Sequence, residues 1–196
     1  MSAPEPDFAP ANPTDGRQLL DWHSKYTDPA ARRGIRYEAC YLAALFFGAP
    51  ALVLVFWLEY PKGWLQLSDA RYRTLLQYAI AWIGGMFGGT LFDIKWLYHS
   101  VAKQVWHLDR RLWRVFTPHV SGGLSCAVVA LISSGLLRVF DRHATESSSL
   151  VFGLAFLVGY FSDSTIAKLA EVAGTLFGPI HIEEKKATPP KGSGND

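Results

Sequence analysis

Four long apolar runs constrain this chain more than any other feature: residues 39–58, 75–92, 120–137 and 150–161, the last extendable at its start to residue 147. A helix needs about 20 mainly apolar residues to cross the hydrocarbon core of a bilayer, and the first and third runs approach that length without a charge. Composition alone could not decide the class, because 49% hydrophobic and 18% charged residues also suit a rich soluble domain. The runs predict an all-helical membrane protein with four transmembrane helices, a cytoplasmic helical extension and a C-terminal amphipathic helix.

Charge sets the expected orientation. Arg17, Lys25, Arg32, Arg33 and Arg36 precede the first run; Lys95, Lys103, Arg110, Arg111 and Arg114 separate the second from the third; Lys168, Lys185, Lys186 and Lys191 follow the fourth. Only Lys62, Arg71, Arg73, Arg138 and Arg142 occupy the two remaining connections. Basic residues concentrate on the cytoplasmic side, so both termini are expected in the cytoplasm, with residues 59–73 and 138–148 outside. The net charge of +2 is too small to argue for nucleic acid by itself.

Residues 1–15 carry four prolines and no positive charge, which predicts a disordered tail and not a secretory signal. Residues 16–178 then form the helical domain, and residues 179–196 a second disordered tail. A short helix over residues 17–26 is expected near the membrane surface. Asp28 before Pro29 is a helix-capping pair, from which one helix should run through the arginines into the first span, bent at Pro50. Trp57, Tyr60 and Trp64 mark an interface, with a turn at Pro61–Gly63. Cys40 and Cys126 form no paired spacing, so they are read as packing residues, and no metal or cofactor is expected.

Gly84, Gly85, Gly88 and Gly89 place small residues four apart on two adjacent rows of the second span. That spacing lets another backbone approach closely; its partner, within the chain or in a second copy, stays open. The third span carries a similar face in Ser121, Gly122, Gly123, Ser125, Ser133, Ser134 and Gly135. Leu97, Val101, Val105, Leu108, Leu112 and Val115 form one apolar stripe and predict a helix continuing to Thr117 and Pro118. Lys103, Arg110, Arg111 and Arg114 crowd its polar side, suited to anionic lipid or to a nucleotide, oligonucleotide or acidic protein partner. Three guanidiniums within five residues call for an anion nearby. The fourth span is the shortest. Beyond it Ile166, Leu169, Ala170, Ala173, Leu176 and Phe177 predict an amphipathic helix stopped at Gly178-Pro179.

Phosphate loops, HExxH, CxxC and GxSxG motifs are absent, which argues against an enzyme. Three carboxylates stand out at the predicted cytoplasmic ends of spans: Glu38, Asp93 and Asp163, the last beside Ser162. In a symmetric oligomer each becomes a ring, and rings of Asp or Glu concentrate and select cations. The competing reading pairs or caps them: Asp163 stands where an N-cap belongs, and Glu38, with Gly34 and Ile35 one turn before it, would need a basic partner from another segment.

The strings Gly84-Gly85-Met86-Phe87-Gly88-Gly89, Leu97-Tyr98-His99, Arg111-Leu112-Trp113-Arg114 before Pro118, and Gly159-Tyr160-Phe161-Ser162-Asp163 leading to Lys168-Leu169-Ala170-Glu171-Val172 resemble a family of small bacterial inner-membrane proteins. In layout the chain also resembles the small transmembrane effectors of anti-phage systems. That resemblance implies a protein that depolarises the membrane and answers to a nucleotide-derived ligand. The expected function is therefore a homo-oligomeric cation channel of four or more copies in the lipid bilayer; the alternative is a non-conducting scaffold or receptor for a cytosolic protein. A secondary transporter is disfavoured, because no repeat relates the two halves.

Overall fold

The computed structural model describes Ser24 and residues 26–137 and 147–178, and every regular element among them is a helix. Both expected tails, nearly all of the expected surface helix over residues 17–26, and most of the connection over residues 138–148 lie outside the described residues. Helix α1, Pro29–Trp57, starts as its capping pair predicts: Asp28 is the N-cap, its Oδ1 accepting from the Ala30 amide at 2.9 Å. It continues unbroken through Arg32, Arg33 and Arg36 into the apolar run, with Pro50 inside it. A short helix α2, Tyr60–Trp64, replaces the simple turn expected at Pro61–Gly63. Lys62 in α2 bridges Glu59 and Asp69, each at 2.8 Å, and these two hydrogen bonds hold its ammonium above the ordinary lysine range.

Helix α3, Asp69–Ala102, is the central element and packs against α1, α4 and α5. The expected helix through Leu97 to Val115 does not continue: Gln104 turns left-handed at φ 59, and the Val105 amide returns to the Ser100 carbonyl at 2.9 Å. A 3-10 turn at Leu108–Arg110 leads into α4, Arg111–Ser133. Pro118, the expected end of that continued helix, lies inside α4 instead. A proline can stay within a membrane helix when neighbouring groups satisfy the freed backbone.

Helix α5, Ser148–Tyr160, has 13 residues, a rise of about 20 Å, too short to cross about 30 Å of hydrocarbon. Helix α6, Ser162–Phe177, follows. The chain divides into two compact units, 1–162 and 163–196. In the second, Ile166 is exposed, Leu169 is half-buried, and Lys168 pairs with Glu171 at 2.9 Å. Three segments among the described residues are long and apolar enough to cross a membrane, Pro29–Trp57, Asp69–Ala102 and Leu108–Ser133; Ser148–Tyr160 with Ser162–Thr175 makes a fourth if that broken pair is one span.

Small residues bring α3, α4 and α5 together along a seam. A Cβ added at Gly85 would collide with Ser125 and the Ser121 carbonyl of α4; one at Gly88 would collide with the Phe156 carbonyl of α5. Gly159 of α5 in turn lies against the Gly85 backbone. The open partner question thus has an answer within the chain, because Gly84 faces Phe152 and Ala155 while Gly89 faces Ser121 and Pro118. Contact this close lets serines bridge directly to backbone: Ser121 Oγ donates to the Gly159 carbonyl at 3.2 Å and Ser125 Oγ to the Ala155 carbonyl at 3.0 Å. Ile80, Ala81, Val129, Val151 and Ala155 form the adjoining apolar core. By contrast α1 buries only 11% of its most apolar window, leaving Phe47 and Trp57 each 72% exposed. Such a face suits lipid or another apolar surface far better than water.

Candidate functional site

The site forms where the first turns of α1, the last turns of α3 and the first turns of α4 meet. Glu38 of α1 is buried, 1% exposed. Gly34, one turn earlier, leaves room beside it for an indole: a Cβ there would lie 2.8 Å from Trp106 Cη2. The break after α3 lets Trp106 turn inward, and its Nε1 donates to Glu38 Oε2 at 3.0 Å. Arg114 of α4 completes the cluster as a fork, Nε to Glu38 Oε2 at 2.8 Å and Nη2 to Oε1 at 3.1 Å. Nη2 also reaches the His107 carbonyl at 3.3 Å. A bidentate guanidinium–carboxylate pair with a further donor is among the stronger polar contacts available. Tyr26 closes the near side, accepting from the Trp106 amide at 3.2 Å and donating to the Ser100 carbonyl at 3.4 Å.

Asp93 of α3 belongs to the same neighbourhood and differs in one respect. It is fully buried, it interacts electrostatically with Arg114 and Glu38, and neither of its oxygens has a hydrogen-bond partner among the described residues. Two carboxylates therefore share one guanidinium, and the guanidinium's fork is committed to Glu38. If both are ionised the cluster carries one negative charge in excess, and an isolated charge in such a core is stable only when a proton or cation joins it. The charge also reaches Tyr41. The Tyr41 hydroxyl donates to the Val115 carbonyl at 2.9 Å and lies 3.0 Å from Nε2 of the exposed His119.

Of the sequence candidates, Glu38, Asp93 and Arg114 come together. Glu38 does find its basic partner in another segment, 76 residues away. Asp163 lies in the second unit, exposed, inside the first turn of α6 and not before it; a carboxylate there suits the positive helix end. Ser162 is buried. The expected basic surface is divided. Lys103 and Arg110 are exposed, Arg111 lies over the Tyr37 ring at 4.5 Å, and Arg114 points inward. The anion those arginines called for is supplied to Arg114 by Glu38.

Trp106, Tyr26, Tyr41 and His119 were not singled out from sequence. Arg114 could have been placed inward, because it shares the α4 face of Pro118, Ser121 and Ser125 at helical spacing. Trp106 carries no such signal, since it follows the break. Comparison with family models, curated proteins and solved structures finds no match, so function is read from the residues alone.

Proposed function

We propose that this chain is one subunit of a homo-oligomeric, cation-conducting protein of the bacterial inner membrane, with both termini in the cytoplasm, and that it acts as a depolarising effector of the kind its layout resembles. The observation that carries the reading is Asp93, a fully buried carboxylate without a donor in a helix apolar enough to span a bilayer. Ionisable groups in such positions mark ion or proton pathways more often than packing. One subunit offers no water path through its seam, where α3 meets α4 and α5 backbone to backbone, so conduction calls for several copies. The broad exposed face of α1 offers surface for that assembly.

Proteoliposomes holding a potassium or proton gradient test the proposal. The wild type should collapse the gradient, and Asp93→Asn should lower the flux at least tenfold while eluting as the same oligomer. Asp163→Asn at the exposed carboxylate serves as the comparison. Equal flux from wild type and Asp93→Asn would remove Asp93 from the pathway.

The scaffold reading draws on a different observation: the Glu38, Trp106 and Arg114 cluster closes within one chain, so the basic end needs no second copy to be complete. An electrically silent, correctly folded monomer would favour that reading.

A further inference from the structure

Several cations in the described part of this chain already have an anion or carbonyl. Lys62 holds Glu59 and Asp69, Lys168 holds Glu171, Arg114 holds Glu38, and Arg32 donates to the Tyr26 carbonyl at 2.6 Å. Lys95 and Lys103, like Arg36, Arg71 and Arg110, have no ion pair or hydrogen bond among the described residues, and these two lysines together line one cavity of about 430 Å³ between the end of α3 and the end of α5. His99 lies between them on the same wall. Residues 95, 99 and 103 are spaced four apart, which sets their side chains in a ladder climbing about 6 Å per step.

The rest of the wall is aromatic. Phe92 contacts Trp96 at 6.4 Å and Tyr160 at 6.1 Å between ring centroids, and Tyr160 stands edge-on to Phe161 at 5.0 Å. All four rings line the cavity. Phe92 lies on the side of the apolar span and Lys103 at the far end of α3, so the cavity passes from an apolar floor to a cationic rim. Trp and Tyr favour the depth of lipid headgroups.

From this juxtaposition we infer a binding site for a phosphate ester that carries an apolar or aromatic group. Lys95, Lys103 and His99 meet the phosphate, and Trp96 and Tyr160 hold the attached group. The bound phosphate accepts charge-assisted hydrogen bonds from the two ammonium groups. Its apolar part covers ring surface otherwise left open. An anionic phospholipid and a soluble nucleotide share this chemistry, and the two arms of the experiment separate them.

The intact protein in phosphatidylcholine nanodiscs is challenged in one arm with phosphatidylglycerol, read by native mass spectrometry, and in the other with ATP, read by calorimetry. Lys95→Gln/Lys103→Gln is compared with Arg33→Gln/Arg36→Gln, which makes the same charge change on the same end of the molecule. The wild type should retain one probe saturably. The Lys95→Gln/Lys103→Gln variant should bind that probe about tenfold or more weakly, and the arginine variant should match the wild type. Retained phosphatidylglycerol identifies the source as lipid, and retained ATP identifies it as soluble. Equal loss in both double variants, or no preference of wild type over the lysine variant for either probe, overturns the site. The single variants Lys95→Gln and Lys103→Gln, each expected to weaken binding about threefold, decide the matter if the double variant does not fold.

Discussion

Between Gly84 and Gly89 the central helix is joined to its neighbours by close backbone approach, whereas one turn further on, around Asp93, the joining groups are charged. The seam gains its energy from dispersion over a tightly filled contact, which is sensitive to added volume and indifferent to charge. The charged cluster gains from a fork-shaped ion pair and is sensitive to the loss of either partner, because the survivor is left buried. The seam binds α3 to α4 and α5; the cluster ties α1 to α4 and to the segment after α3. One region therefore shapes the bundle and the other fixes how the least buried helix attaches to it.

Breaking the cluster on one side should have the largest effect. Arg114→Met leaves Glu38 buried without its cation and should destabilise the fold by about 3–5 kcal/mol in a reversible unfolding titration. Glu38→Met/Arg114→Met should recover most of that loss. A double variant no more stable than Arg114→Met would mean that the pair contributes through something other than charge balance.

Overfilling the seam comes next. Gly88→Val drives a side chain toward the Phe156 carbonyl and should lose about 1–3 kcal/mol. Gly153→Val, in the same α5 that receives Gly88, meets nothing within 4 Å and should be close to neutral in the same titration. Similar losses from both would mean that the seam is no tighter than an ordinary helix surface.

The smallest effect should come from a residue that belongs to neither region. Asp28→Ala removes the oxygen capping α1 and should lower stability by about 1 kcal/mol, without changing the tenfold contrast expected from Asp93→Asn. A flux change in Asp28→Ala would link the α1 terminus to the conduction pathway.

What could be read from the sequence follows from how far apart the interacting residues lie. The Asp28-Pro29 cap, the course of α1 through its arginines, and the glycine rows of α3 depend on neighbours a turn away, and periodicity exposes them. Pairing across 76 residues leaves no local trace, so Glu38 could be seen to need a distant base without that base being identifiable. Arg114 was grouped with Arg110 and Arg111 by proximity in the chain, although a helix separates neighbours onto different faces. The break after Ala102 was hidden for another reason. It contains neither Gly nor Pro, its left-handed residue is Gln104, and the apolar stripe keeps its phase across the gap. Trp106 completes the cluster only because that break turns it inward.

The reach of the Glu38–Arg114 pair also has a meaning in time. Ribosomes add about 5–20 residues each second, so Arg114 is polymerised roughly 4–15 s after Glu38, given their separation of 76 residues. Throughout that interval the first segment has an acidic group near its start without the guanidinium that holds it in the finished fold. Its final seat can be taken only after the later helix arrives. Birth order makes α1 the first of the described helices to leave the ribosome, yet its pairing with α4 must wait for Arg114.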